Sequence, residues 1–538
     1  MNLTKIKKII FFVLILNIFN ISSIFHTSYV VRADESNPLL VPYYSEIMKT
    51  IYKVVKLEDF SVKTSELPET LKLSFLNIAN TLYGLSEDPL KPTKSIDFEQ
   101  KFLELIRNVR TVVNDPNYAK YVDDANAAQG IKDALSLVQK IAYTIFTQVD
   151  LRSINKELID KLSTQNSNKT YKDFAKNIEK VATLAKANPF KKSEKSIYGF
   201  FNWVNDIIDN ETTSGNLDPM MKGNLCSQKM LLHLKGSLID CDTKPALCVR
   251  FGSPTIGSDK DAKISPEFFA YLDYLKNHGQ KHTYINFQYN GPQGSLKEFF
   301  GAGLEYFRTN ILEGLANNSR YKDTLQLISL DKNSEFYWQT GEFYGVPLVD
   351  KDKFSKIILE NMFGDEKTQE SEDGFFFPKS LSDRSGEFYK WASTTIPILI
   401  KLAGGSKKSY LIPKDRRTLI EIIYAMIAAK LTVSSDVINL SCKEDVDRGA
   451  SSKAFLFHLR NTLDSIDNKS LECEGVERGK YLNTLMFSDA YTIRNRVVKK
   501  ERLERFVEAD EVLMDFVQDK EFRKFLEDNF QIKKISIK

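Results

Sequence analysis

The stretch Val437-Ile438-Asn439-Leu440-Ser441-Cys442-Lys443-Glu444-Asp445-Val446-Asp447-Arg448-Gly449-Ala450 decides how this chain is read. A hydrophobic strand ends at Ser441, a short loop runs from Cys442 to Arg448, and a helix follows with Ala454, Phe455, Phe457 and Leu459 as its apolar positions. Strand, tight loop and helix N-terminus together suit an anion. Backbone N–H groups of the loop turn toward it, and the helix dipole adds positive potential. The same potential lowers the pKa of a thiol at the start of the loop and favours the thiolate at neutral pH. An arginine at the far end folds back and offers two parallel N–H donors.

Working outward, further short β-rich runs are Ala246 to Phe251, Thr283 to Tyr289, Thr324 to Leu330 and Val433 to Leu440. Helical patterns, among them Phe299 to Leu315 and Leu419 to Leu431, separate them. This alternation predicts an α/β domain over 216–480 with a central, mostly parallel sheet. Residues 34–215 read instead as an all-helical domain. Ile131 to Leu162 carries Ile131, Ala134, Leu135, Val138, Ile141 and Ala142 at helical spacing, and Phe98, Phe102, Leu105, Ile106 and Val109 repeat the pattern behind a capping Asp97. Tyr171 to Ala187 is expected to form another helix, and Glu211 to Asn216 a linker. Charged amphipathic helices are expected from 481 to 538. The fold class is therefore α+β to α/β, helical first and sheet-centred second.

Lys5, Lys7 and Lys8 precede an apolar run from Ile9 to Phe19, and Val31-Arg32-Ala33 follows, which is the layout of a secretory signal over 1–33 cut after Ala33, with an uncleaved anchor helix as the alternative. The expected location is periplasmic or secreted. The composition, 42% hydrophobic and 27% charged, is that of a folded protein. A net charge of +4 over 538 residues gives no reason to invoke nucleic acid. Of the cysteines at 226, 241, 248, 442 and 473, the first three lie close enough in sequence to supply one bridge, or none is paired. His278 and His282 are four apart, but Gly279 between them argues against a helix, and no acidic partner completes a zinc motif. No Walker loop, Gly-x-Ser-x-Gly elbow or dinucleotide fingerprint is present, so neither cofactor nor metal is expected.

Cys442 and Arg448, with five residues between them and a strand and a helix on either side, resemble the cysteine-dependent protein tyrosine phosphatase superfamily. Glu444 two places after the cysteine and Asp447 immediately before the arginine are similar to the loop of phosphoinositide phosphatases. Lys443 is similar to bacterial effector phosphatases acting on inositol phosphates. The resemblance covers about twenty residues. It implies a phosphatase-like second domain, attack by Cys442 on phosphorus, a phosphocysteine intermediate and a transferring phosphoryl group held by Arg448. It further implies a phosphoinositide or inositol phosphate substrate, with a phosphoprotein as the alternative, and suits a bacterium living against or inside a host cell. A non-catalytic binding protein with a degenerate loop is the rival reading.

Three departures from the family bear on the loop. Ser441 replaces the usual histidine. Asp445 stands where most tyrosine phosphatases have glycine, so a side chain crowds the loop. Gly449 replaces the serine or threonine that assists departure of the thiolate. Such enzymes also need an acid to protonate the leaving oxygen. Asp331, just past the strand Leu325 to Leu330, is the first candidate, Asp383 the second and Asp447 the third. Arg494, Arg496, Lys499 and Lys500, with Arg502 and Arg505, form a basic cluster that either leans on anionic lipid or is a solvated helix face.

Overall fold

The computed structural model describes residues 41–55, 60, 66–83, 97–151, 153–158, 236–237, 246–256, 262–291, 303–340, 346–364, 374–403, 408–432, 434–466, 482, 484–490 and 498–518. Residues 1–33, the segments 171–187 and 211–216, Cys226, Cys241, Cys473, Arg494 and Arg496 lie outside them.

One six-stranded sheet runs in the order β1 (Gly236–Ser237), β2 (Leu247–Val249), β10 (Val437–Ser441), β5 (His282–Asn286), β6 (Leu325–Leu330), β8 (Phe375–Phe376). The inner four strands are parallel, and β1 and β8 close the edges antiparallel. Asn439 of β10 stands opposite both Val249 and Tyr284, so the strand carrying the cysteine loop lies between two neighbours. Every residue of β5, β6 and β10 is buried. With both faces covered, even the polar residues of these strands, among them Thr283, Asn286, Gln326, Ser329 and Asn439, are interior. Two small ribbons, β3 (Thr255–Ile256) with β4 (Lys263–Ile264) and β7 (Val349–Asp350) with β9 (Tyr410–Leu411), stand apart from the sheet.

Helices cover both faces. On one face Ile285, Ile328, Ile438 and Leu440 pack with α8 (Lys351–Phe363), α9 (Glu387–Leu402), α10 (Pro413–Thr432), α11 (Arg448–Ile466) and α12 (Lys500–Gln518). On the other, Tyr284, Leu327, Val437 and Phe251 pack with α1 (Val41–Val54), α2 (Glu69–Tyr83), α3 (Phe98–Asn114), α4 (Pro116–Asp123), α5 (Gln129–Thr147), α6 (Pro266–Asn277) and α7 (Gly303–Ala316). The described helices of the segment read as a helical domain therefore share one core with the sheet. Asp97 caps α3 as expected, accepting the Gln100 N–H. The helix expected from Ile131 to Leu162 is interrupted: α5 ends at Thr147, and Val149 and Leu151 are buried before helix resumes at 153. Among the described residues no helix is long and apolar enough to cross a membrane.

Parallel strands place the segments that follow them along one edge of the sheet. Here that edge gathers Arg250 after β2, Phe287 to Asn290 after β5, Asp331 after β6 and Cys442 to Arg448 after β10.

Candidate functional site

The loop Cys442 to Arg448 is braced from both sides. Ser441 Oγ donates to Phe251 O at 2.7 Å, Ser253 N–H donates to Lys443 O at 3.0 Å, and Phe287 N–H donates to Ser441 O at 2.7 Å. Within it, Asp445 is 0% exposed, Val446 2% and Arg448 8%. Among the described residues no acceptor meets the backbone N–H of Lys443, Asp445, Val446 or Arg448. Lys443 is half-buried, whereas Asp445, Val446 and Arg448 are buried, and buried amides without a partner are uncommon in folded proteins because each forfeits its hydration. A group of them ahead of a long helix is what an oxyanion requires. Cys442, 4% exposed, carries a free thiol at the start of the loop.

Asp445 does not crowd the loop. It adopts a left-handed conformation, φ +58°, a region that favours glycine, and its side chain is held by two cations. Arg250 Nε reaches its Oδ2 at 3.0 Å, Lys453 Nζ reaches the same atom at 2.5 Å, and Arg250 Nη2 donates to its carbonyl at 3.1 Å. Lys453 also donates to Leu440 O, and Arg250 pairs with Asp489 at 2.8 Å. Two buried cations thus face two buried carboxylates. Burial pushes Asp489 up to about 6 despite Arg250 beside it. The Asp445 carboxylate also explains Gly449: a Cβ there would stand 1.7 Å from Asp445 Oδ1.

Arg448 opens α11, and its fork is engaged. Nη1 donates to Glu305 Oε2 at 2.7 Å and to Phe287 O at 3.0 Å, and Nη2 donates to Glu305 Oε1. Burial raises the Glu305 carboxyl, but Arg448 and the Tyr289 N–H outweigh it and hold the group below its ordinary value. Glu305 belongs to a polar stripe on α7 formed with Thr309 and Glu313, four residues apart and so on one helix face. Thr309 Oγ1 donates to Tyr289 O at 3.1 Å, and Glu313 Oε1 accepts from Asn290 Nδ2 at 2.8 Å and from Ser329 Oγ at 2.7 Å. The stripe grips the segment after β5, which in turn touches Arg448 through Phe287 O and Asp331 through Asn290.

Asp331 is fully buried at this edge. Its Oδ2 accepts the Asn290 N–H at 2.9 Å and its Oδ1 the Asn333 N–H at 2.6 Å. Gly374, at φ +89°, closes over it: a Cβ on Gly374 would lie 2.6 Å from Asp331 Cβ. Burial raises the carboxyl to about 7, against the two N–H bonds and the charge of Arg448, with Glu305 adding to the rise. A carboxyl that titrates near neutrality is suited to proton donation. Asp383 is different. The chain leaves this edge through β8 before reaching it, and Asp383 then sits in an exposed turn, accepting from Ser385 N–H and Oγ, which hold it below the usual carboxylate range. Asp447 accepts the Lys499 N–H at 3.0 Å, just ahead of α12.

The basic cluster does not form a solvated face throughout. Arg502 and Arg505 are buried against Tyr337 and Trp338. Lys499 is part-buried, and the backbone of Lys500 opens α12. Cys248, a candidate for bridging, is a free buried thiol of β2, pushed up to about 12 chiefly by burial. His278 ends α6, and the left-handed Gly279, φ +61°, follows it; His282 is a core residue whose Nδ1 meets Tyr271 Oη at 2.5 Å. Among the described residues no three His, Cys, Asp or Glu side chains are grouped to hold a metal ion. Sequence reasoning missed Arg250, Glu305, Lys453 and Asp489. Only Glu305 left a signal, as the first of three polar residues spaced four apart along the helix. Compared with protein-family models, with curated proteins and with solved structures, the chain gives no match.

Proposed function

We propose that this chain is an exported cysteine-dependent phosphatase acting on phosphoinositides or inositol phosphates. One observation carries the reading. Among the described residues, loop amides without acceptors lie between a free thiol and a two-donor arginine, after an inner parallel strand. In the proposed reaction Cys442 attacks phosphorus and the bond to the leaving oxygen breaks, giving a phosphocysteine. The loop amides and Arg448 carry the charge on the equatorial oxygens. Asp331, protonated near neutral pH, gives its proton to the leaving oxygen and then, as carboxylate, takes one from the water that releases phosphate. Glu305 keeps the Arg448 fork in one orientation.

The second reading, a phosphate-binding protein without turnover, is favoured by the low exposure of Cys442 and Asp331 and by Gly449 in place of a hydroxyl residue. Phosphate release from a panel of phosphoinositides and inositol phosphates, measured for the parent and for Cys442→Ser, separates the two. Release by the parent and none by the variant is expected. Equal release by both ends the enzyme reading.

A further inference from the structure

Immediately after Asp331 the chain enters a second cluster of cations. Lys332 is 1% exposed, Arg502 6% and Arg505 5%. The guanidinium carbons of Arg502 and Arg505 lie 4.8 and 5.0 Å from the Trp338 ring centre and 5.5 and 5.4 Å from that of Tyr337. Lys332 Nζ stands 4.9 Å over the Phe287 ring and 5.6 Å over Tyr337. Aromatic faces thus hold all three cations from the sides.

Their neutralisation is incomplete. Glu421 binds Lys332 Nζ and also accepts from Tyr337 Oη at 2.8 Å. Glu508 Oε2 lies 3.8 Å from Arg505 Nη1, beyond hydrogen-bond reach, and its Oε1 is 3.8 Å from Lys414. Arg502 spends Nη2 on a neutral acceptor, Asn333 Oδ1, at 2.9 Å. The Nη1 atoms of both arginines are buried with no hydrogen-bond partner among the described residues. Burial pushes Arg505 down to about 10 and Lys332 to about 8, the latter despite Glu421. Buried guanidinium N–H groups facing no acceptor are costly to keep, and an incoming oxyanion offsets that cost.

The cluster borders the cysteine loop on two sides. Phe287 carries Lys332 over its ring and Arg448 on its carbonyl. Asp447 of the loop bonds the Lys499 N–H, and Arg502 N–H bonds Lys499 O. We propose that Lys332, Arg502 and Arg505 form a second phosphate subsite beside the Cys442 loop, so that the ligand of this protein carries at least two phosphates on one scaffold. This rests on the phosphatase reading for the first phosphate, but its test does not need turnover.

The test uses the full chain carrying Cys442→Ser and reads calorimetry together with tryptophan fluorescence, the Trp338 share of which is assigned with Trp338→Phe. The ligands are inorganic phosphate, an inositol monophosphate, an inositol bisphosphate, and vesicles with and without a phosphatidylinositol bisphosphate. The bisphosphate is expected to bind at least tenfold tighter than the monophosphate, and Arg502→Met and Arg505→Met, each checked for folding by circular dichroism, are expected to bring that ratio toward one. Equal affinity for the two inositol phosphates overturns the subsite whether or not the variants fold. An unchanged ratio in two folded variants does the same. Tight binding of the soluble bisphosphate identifies a free inositol phosphate as a sufficient ligand, and binding only to bisphosphate vesicles identifies the lipid headgroup. Should the parent release no phosphate from any ester yet show the tenfold ratio, the phosphatase reading fails and the subsite stands.

Discussion

The carboxylate of Asp445 occupies the space that a side chain at position 449 would need. The left-handed backbone at Asp445 turns its Oδ1 toward Gly449, while Oδ2 is held by Arg250 and Lys453. The acid at 445 and the glycine at 449 are thus coupled: while Asp445 keeps this rotamer, position 449 has no room for a side chain.

Gly449→Ala is expected to destabilise the fold by about 1–3 kcal/mol, the usual cost of overpacking a filled site. Denaturant unfolding measures it. Asp445→Gly alone strands the buried Arg250 and Lys453 and costs stability too, so the informative quantity is the coupling: the double change is expected to cost less than the sum of the two single changes. Full additivity of the two changes would show that Asp445 is not the obstacle.

Asp331 sets a pH dependence with a definite sign. As the acid it must be protonated, and with a folded pKa of about 7 its protonated fraction falls as pH rises through neutrality. The phosphate-release rate is expected to decline above about pH 7. Asp331→Asn is expected to lower that rate by about 10²- to 10⁴-fold and to remove the decline. A basic limb that persists in the variant assigns the proton elsewhere.

Stability follows the same carboxyls. Burial raises Asp331 and Glu313 to about 7 and Asp489 to about 6, above their unfolded values. Groups raised on folding contribute stability that is complete below the unfolded pKa and lost as pH rises through the folded one. Between about pH 4 and 7 these three therefore weaken the fold as pH rises, each by about 1.4 kcal/mol for every pH unit that separates its folded from its unfolded value. Glu305 and Glu421, held below their ordinary values, act in the opposite sense at lower pH. Glu313→Gln is expected to flatten the loss of melting temperature between pH 5 and pH 8. An unchanged slope would mean that Glu313 is charged throughout.

Arg448→Ala leaves Glu305 buried without its partner and is expected to cost about 3–5 kcal/mol. Arg448→Lys keeps a charge but loses the fork. It is expected to fold, while vanadate no longer protects Cys442 from alkylation. Protection equal to that of the parent would show that the guanidinium does not hold the anion.

Much of this was legible from the chain alone. The buried parallel strands were legible as short β-rich runs between helical patterns, and Asp97 marked its helix because an N-cap is a local event. The cysteine loop was visible because strand, loop and helix are contiguous. Arg250, Glu305 and Asp489 were not, because each meets its partner only after distant segments pack, and no spacing rule links Arg250 to Asp445. Lys453 lies only eight residues from Asp445, but nothing in the sequence marks it as turning inward. Arg502 and Arg505 misled for the same reason. On a charged amphipathic helix they read as solvated, and only the position of Tyr337 and Trp338 makes them interior. The strand before Asp331 already ranked it above Asp383, and the fold places Asp383 in an exposed turn past β8.

The shared core of α1–α5 and the sheet has a practical consequence. Phe251, Tyr284 and Leu327 are covered by helices that precede them by more than a hundred residues. A fragment beginning near residue 216 would present those rings and branched chains to water as a greasy wall. Such a truncation is expected to precipitate on expression, and engineering of this protein has to begin from the uncut chain.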